Sequence, residues 1–330
     1  MGTTTLNDAA TGDAATGGAA PGTEDGQEVR DARDAAVPAP PDVPPPGPEF
    51  GWESAGLDLD AYLERIGHTG PVRADLPTLR ALVRAHTENL PFENLDVLLR
   101  GGVSLAIGDL QDKLVRRRRG GYCHELNGLL ATVLDHVGFT VTALSARMLF
   151  GADAATLRPV GHTLLRVDVP GEGSWIVDTG VGGWGPSAPL PLRNGAQVRA
   201  GDWLYRLDRT PRGWMVRLLR HDGWFNVHLF TLEPYFRPDM ADFDYIASHH
   251  PRSPFVRMIS VQRNGASERV VLTDLRLETH RPDRAPEVRT LAPEDLPGVL
   301  RGVFGLHLPT EDEQALVRFA AQAPEGQEVD

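Results

Sequence analysis

A chain of 330 residues, 41% hydrophobic and 24% charged, can bury a sizeable core as one large domain or roughly two to three small ones. Its net charge is -12, and its one basic run, Arg116 to Arg119, is too short for the stripe a polyanion needs, so nucleic acid is excluded as a partner. One cysteine excludes an intrachain disulfide, no apolar run reaches the roughly 18 residues of a membrane span, and the N-terminus has no secretory pattern; the expected location is the cytoplasm.

Residues 1–48 are mostly Ala, Gly, Thr, Asp and Pro, ending in Pro40-Pro41-Asp42-Val43-Pro44-Pro45-Pro46, and a disordered low-complexity extension is expected there. From Leu57 the pattern turns helical. Leu59, Tyr62, Leu63 and Ile66 recur at helical spacing, and Leu76, Leu79, Leu82 and Val83 repeat the signal behind Asp75 as N-cap. A third helix is predicted over 105–118. The stripe Leu126, Leu129, Leu130, Val133, Leu134 and Val137 predicts a fourth, closed by Gly138.

Beyond Gly138 the signals are those of strands: 140–144, 162–169 and 175–181, the last two joined by the turn Pro170-Gly171-Glu172-Gly173, then 203–207, 214–219 and 224–230. An antiparallel sheet or barrel follows from these. The last third mixes strands at 256–262 and 269–277 with a helix near 311–321, a small α/β unit. The class is α+β, with helices and strands segregated along the chain.

Cys123 follows Gly120-Gly121-Tyr122 and opens the fourth helix, where free backbone N–H groups and the positive end of the helix dipole favour a thiolate. A lone cysteine is more often a small buried hydrophobe, so its context decides. His162 begins a strand 39 residues on, and Asp178 ends the returning strand 16 further. Paired as a hairpin, the two place a carboxylate beside an imidazole, which fixes the tautomer while the other ring nitrogen takes the thiol proton. Spacing alone is weak support, because many chains contain Cys, His and Asp.

The local strings are more specific. Arg119-Gly120-Gly121-Tyr122-Cys123-His124-Glu125-Leu126-Asn127 resembles the Arg-Gly-Gly-x-Cys-x-Glu-x-Asn signature of the arylamine N-acetyltransferases. Pro91-Phe92-Glu93-Asn94-Leu95, Gly161-His162-Thr163-Leu164-Leu165, Val177-Asp178-Thr179-Gly180-Val181-Gly182, Ser253-Pro254-Phe255-Val256 and Gln262-Arg263 resemble the same family, over about residues 50–310.

The resemblance implies a helical bundle over 49–138 bearing the cysteine, a β-barrel over 139–247 bearing the histidine and aspartate, and an α/β lid over 248–330, in a cysteine-protease-like arrangement. It implies a catalytic triad of Cys123, His162 and Asp178, and a ping-pong reaction of the xenobiotic-metabolising kind. Acetyl-CoA acylates the cysteine, and an arylamine, arylhydrazine or N-hydroxyarylamine takes the acetyl group. Acetyl-CoA is thus a co-substrate, with no bound cofactor and no metal. Phe92 and Phe255 are implied to line the amine pocket, or else are plain core aromatics; Gly180 and Gly182 are implied to admit the CoA thiol arm, or else are turn glycines. Arg119, Glu125 and Asn127 are implied supports of the cysteine loop. A monomer or small homo-oligomer is expected.

Two positions depart from the family pattern: His124 and Val181 stand where Phe is usual, which bears on acceptor preference. For His124 two readings stand: a perturbation of the neighbouring thiol pKa, and a helix-surface place, which is the one expected. The competing reading is the macrolactam-forming amide synthase of ansamycin-type polyketide biosynthesis, a relative with the same triad and a carrier-bound acyl donor. A cysteine hydrolase is a weaker rival, and a non-enzymatic binding module is disfavoured by the intact triad.

Overall fold

The structure, a computed structural model, describes residues 51–322; the extension expected over 1–48 lies outside the described residues. Helix α1 (Leu59–Ile66) starts where the Asp58 carboxylate accepts from Ala61 N at 3.1 Å, and α2 (Leu76–Asn89) where Asp75 accepts from Thr78 N at 2.9 Å. Each cap satisfies an N–H that the first helical turn leaves without a carbonyl. The short helices α3 (Leu95–Arg100) and α4 (Ile107–Leu110) follow, and then α5 (Cys123–Val137), which stops at Gly138 with φ 103°. The α5 stripe packs with Tyr62, Ile66, Leu79, Leu82 and Val83 into one apolar core, which Leu165, Val167 and Val177 of the neighbouring sheet complete. The Cys123 helix is thereby pressed against the strands that lead to His162 and Asp178.

One predicted helix is broken. Over 105–118 the chain forms α4 and then a π-helical turn, Gln111–Arg116. Gln111, Lys113, Leu114 and Val115 are all buried there, more than one α-helical stripe can turn inward; the wider turn brings Lys113 in with its neighbours.

An antiparallel sheet of eight strands makes the middle of the molecule: β2 (Thr140–Met148), β3 (His162–Val169), β4 (Gly173–Val177), β5 (Leu190–Pro191), β6 (Ala196–Ala200), β7 (Trp203–Thr210), β8 (Gly213–Arg220) and β9 (Gly223–Phe230). Their spatial order is β5-β4-β3-β2-β9-β8-β7-β6, and the edge strands β5 and β6 lie in contact, nearly closing a barrel around Leu144, Leu164, Ile176, Trp203, Tyr205 and Phe230. The β3–β4 hairpin forms as the turn residues imply, with Leu165 opposite Val177. β4 ends one residue before Asp178, which opens the following loop.

After α6 (Arg237–His249) comes a second antiparallel sheet of order β1-β10-β11-β12-β13, built from β1 (Phe92–Glu93), β10 (Ser260–Asn264), β11 (Arg269–Thr273), β12 (Arg276–Arg281) and β13 (Arg284–Thr290). Two predicted strands are redrawn here. Pro254–Val256 is a 3-10 turn, since proline leaves β10 to begin later, and 269–277 divides into β11 and β12 at Asp274, whose φ of 50° reverses the chain. Helices α7 (Leu296–Phe304) and α8 (Thr310–Gln322) cover this sheet around Ile259, Val261, Leu272 and Leu300. The α+β class read from the sequence is the class observed. β1 is the exception to the segregation, because it lies in the helical part of the chain and pairs with β10, Phe92 opposite Gln262.

Candidate active site

Cys123 is the first residue of α5, and the loop before it is held by charge. Glu125 accepts from Tyr122 N at 3.1 Å across the helix start and takes Lys113 Nζ on both its oxygens, at 2.7 and 3.0 Å. Arg119 reaches Glu93 at 2.7 Å and Asp96 at 3.1 Å. All five charged groups are buried. Burial pushes the Glu125 carboxyl up to about 7 against the pull of Lys113, while Lys113 is raised despite its burial because Glu125, Glu93 and Asp96 surround it. At Gly120 a side chain would run into the Pro91 carbonyl, so the loop lies directly on the strand that begins at Phe92.

The three residues singled out by the sequence meet at this point, all buried: Cys123 is 4%, His162 6% and Asp178 1% exposed. His162 Nε2 lies 2.7 Å from Asp178 Oδ2, which leaves Nδ1 as the ring nitrogen not taken by the carboxylate, and the nearby Cys123 thiol favours the charged ring. The other carboxylate oxygen, Oδ1, accepts from Asn127 Nδ2 at 3.0 Å and Gly180 N at 3.1 Å. Asn127 stands four residues after Cys123, hence on the same helix face. It also donates to Thr163 O at 2.6 Å and accepts from Thr179 N at 2.9 Å, so one amide ties the cysteine helix to β3 and to the loop that follows β4.

These contacts set the charges. Burial alone would raise the Cys123 thiol; His124 and then His162 overcome it and hold the thiol down at about 5. Burial would likewise discharge His162, but Asp178, and after it Cys123, raise it to about 10. Asp178 is kept below the ordinary carboxylate range chiefly by His162, against burial. A thiolate and an imidazolium therefore coexist over the neutral range. Among the described residues no cluster of three His, Cys, Asp or Glu groups is arranged to hold a metal ion.

Two histidines outside the triad also reach it. His228, on β9, is fully buried with Nε2 3.4 Å from Asp178 Oδ2 and its ring 5.6 Å from that of His162; burial brings it down to about 3, so it is neutral. Sequence reading passed over it. Its only signal is a position two residues before Phe230, on the same inward face of the strand. His124 is fully buried as well, which corrects its expected place on the helix surface. The helix start leaves no exposed face, because β3 and α6 cover it.

Phe92 is buried and Phe255 half-buried; their rings lie 6.0 Å apart, and Phe255 meets Tyr122 edge-on at 5.4 Å. Gly180 sits where an added Cβ would come within 2.5 Å of Cys123 Cα, and Gly182, with φ 75°, where one would strike Gln262. Protein packing alone thus requires both glycines. Their loop is gripped from the second sheet: Gly183 N donates to Gln262 Oε1 at 2.6 Å, Asn264 donates to Gly182 O at 2.8 Å and Arg269 to Gly183 O at 2.9 Å. Val181 is buried in the barrel core.

A family model for N-acetyltransferases matches residues 75–313. The arylamine N-acetyltransferase of Mycolicibacterium smegmatis is 38% identical over 255 residues, 76% of this chain and 93% of its own length. Among solved structures, the Nocardia farcinica arylamine N-acetyltransferase superposes with a TM-score of 0.78 at 41% identity, over 83% of this chain and 98% of that one. The Mycobacterium marinum enzyme solved in complex with CoA superposes at 0.76 with 33% identity, over 81% and 99%. A match of this extent, on a barrel-and-helix frame that brings Cys123, His162 and Asp178 together, makes the chain a member of the arylamine N-acetyltransferase family and an acyltransferase.

Proposed function

We propose that the protein transfers an acetyl group from acetyl-CoA to an arylamine, arylhydrazine or N-hydroxyarylamine by a ping-pong reaction through an acetyl-Cys123 thioester. The observation that carries this reading is the buried His162–Asp178 pair at 2.7 Å, with the Cys123 thiol held down by the histidines beside it. The CoA-bound Mycobacterium marinum neighbour supports the choice of donor. In the first half, the Cys123 thiolate attacks the donor carbonyl and His162 gives its proton to the departing CoA sulfur. In the second, the amine attacks the cysteine thioester, His162 takes the amine proton, and the thiolate leaves to restore the starting pair. Asp178 holds the imidazole with Nδ1 toward sulfur in both halves. Cys123 N–H, at a helix start where no carbonyl claims it, is the candidate donor to the tetrahedral oxyanion. Phe92 and Phe255 are assigned to the acceptor pocket, Gly180 and Gly182 to the passage of the CoA arm, and the reaction to the cytoplasm.

The test is mass spectrometry of the protein after incubation with acetyl-CoA alone, then after addition of an aminosalicylate, beside Cys123→Ala. An acetyl-sized adduct confined to the wild type and discharged by the amine is the expected outcome. A folded wild type that takes no acetyl group rejects the donor and points instead to a carrier-bound acyl chain.

A further inference from the structure

The segment that leads away from Asp178 runs Gly180-Val181-Gly182-Gly183-Trp184-Gly185. Glycine loses more conformational freedom on folding than any other residue, so such a segment keeps one shape only where its surroundings hold it. Here the second sheet and β7 do so. Gly183 N donates to Gln262 Oε1 at 2.6 Å, Gly182 O accepts from Asn264 Nδ2 at 2.8 Å, Gly183 O from Arg269 Nη1 at 2.9 Å, and Gly185 O from the Tyr205 hydroxyl at 2.7 Å. A side chain at Gly182 or Gly183 would run into Gln262 or Val271, so the segment lies flat on β10 and β11.

Arg269 is the unusual member of this grip. Its side chain is fully buried, and no carboxylate among the described residues pairs with it. Nη1 donates to Gly183 O and, at 2.5 Å, to Tyr205 Oη, while the guanidinium lies over the Trp203 ring at 4.1 Å. An indole face attracts a cation but replaces a carboxylate only in part, and Nε and Nη2 find no hydrogen-bond partner among the described residues. An apolar side chain would fill this place at less cost if packing were its whole task. What the guanidinium adds is a charged donor to one loop carbonyl. We propose that Arg269 is a positioning residue for the triad: through Gly183 O, and with Gln262 and Asn264 beside it, it fixes the loop that carries Asp178 against Cys123.

The path from the clamp to the site is short. Gly183 is five residues beyond Asp178, and at the near end of the loop Gly180 N donates to Asp178 Oδ1 at 3.1 Å. Gly180 also packs so closely on the cysteine that an added Cβ would lie 2.5 Å from Cys123 Cα. A slip of the segment along the second sheet therefore moves the carboxylate relative to the imidazole and the sulfur together. The titratable groups facing Asp178 are His162 of β3 and His228 of β9; those facing the thiol are His162 and, on its own helix, His124. Arg269 hydrogen-bonds to none of them, so its influence on the thiol passes through the loop.

Because Cys123 is the only cysteine in the chain, iodoacetamide alkylation reads its ionisation directly, with no acetyl donor present. The measurement is the alkylation rate against pH for the full chain, Arg269→Met, Arg269→Lys, Gln262→Leu and Asp178→Asn, with melting temperature recorded for each. Arg269→Met leaves no carboxylate unpaired and is expected to fold. Its midpoint is expected to move to higher pH, slowing alkylation on the acid side by about tenfold per unit of displacement. Arg269→Lys, which keeps a charged donor on a shorter arm, recovers part of the rate, and Gln262→Leu moves the midpoint the same way but less. A residue that served packing alone would lower the melting temperature and leave the midpoint where it was. An Arg269→Met midpoint equal to wild type therefore overturns the proposal; should that variant not fold, an unmoved Gln262→Leu midpoint overturns it as well. The inference rests on the triad reading of Asp178, and Asp178→Asn keeps the two apart. If that variant shifts the midpoint while Arg269→Met does not, the inference alone falls; an unmoved Asp178→Asn profile removes the triad reading and the inference with it.

Discussion

Two buried polar clusters flank Cys123, and they are built on different rules. Around the loop that precedes it, Glu93, Asp96, Lys113, Arg119 and Glu125 form an ionic network in which every charge meets an opposite one within 3.7 Å. On its other side, the imidazoles of His124, His162 and His228 lie near one thiol and one carboxylate; His124 Nε2 and both nitrogens of His228 have no hydrogen-bond partner among the described residues. Saturated groups can hold a backbone in place but have nothing left to give a substrate. Polar atoms left unspent in a dry interior are costly, and sites that must move protons are where that cost is tolerated. Burial is common to both clusters; satisfaction separates support from chemistry.

The comparison breaks if a change on the chemical side unfolds the protein or a change on the ionic side affects only turnover. Asp178→Asn carries the largest expected effect: the amide cannot support the imidazolium, and turnover falls by about ten-thousand-fold while the protein still folds cooperatively. Steady-state acetyl transfer beside thermal unfolding checks it; a variant that shows no cooperative unfolding transition makes Asp178 structural. Arg119→Met comes next. It leaves Glu93 and Asp96 short of their cation inside the protein, at a cost of about 3–5 kcal/mol in denaturant unfolding. Near-normal stability with lost turnover is the result that sinks the division. Gly180→Ala joins the two sides, because its methyl group would press on Cys123 Cα; about 1–3 kcal/mol is expected, with slowed acetylation of Cys123 in the mass assay. An unstrained, fully active variant contradicts the close packing of that loop on the cysteine.

How much of this was legible beforehand depended on whether a residue's partner was near in the chain. The cysteine loop, the β3–β4 hairpin and the α1, α2 and α5 stripes are local patterns, and each appears where the sequence puts it. Helix α3, at six residues, is too short to show a period, and α6 turns Asp244 and Ser248 inward, polar residues that blur its apolar face. The β1–β10 pair joins residues about 170 apart, and no spacing rule reaches that far. β13 is almost wholly exposed and carries Pro286, which an edge strand tolerates and a central one does not. At the site the same rule holds. Cys123, His162, Asp178 and Asn127 sit in recognisable strings. His228 and Asp244 reach it only through the barrel and α6, and the burial of His124 depends on both.

The smallest expected effect concerns pH, and it returns to the chemical side. His162 is raised from its ordinary value to about 10, so between the two the folded protein holds a proton that the unfolded chain has released. Stability from this group is therefore complete below the unfolded value of about 6.5 and is lost as pH rises through about 10. Asp178 works the other way: its depressed carboxyl contributes above the ordinary carboxylate range and loses that contribution on acidification. Removing the carboxylate with Asp178→Asn takes away the largest force holding the proton on His162, so the alkaline decline in melting temperature should begin nearer neutrality than in wild type, and part of the acid decline should vanish. Melting temperatures of the two proteins across the pH range decide it. Coincident alkaline limbs would mean that the pair does not carry the charge assigned to it, and the chemical cluster would then be as neutral a packing unit as the barrel core around it.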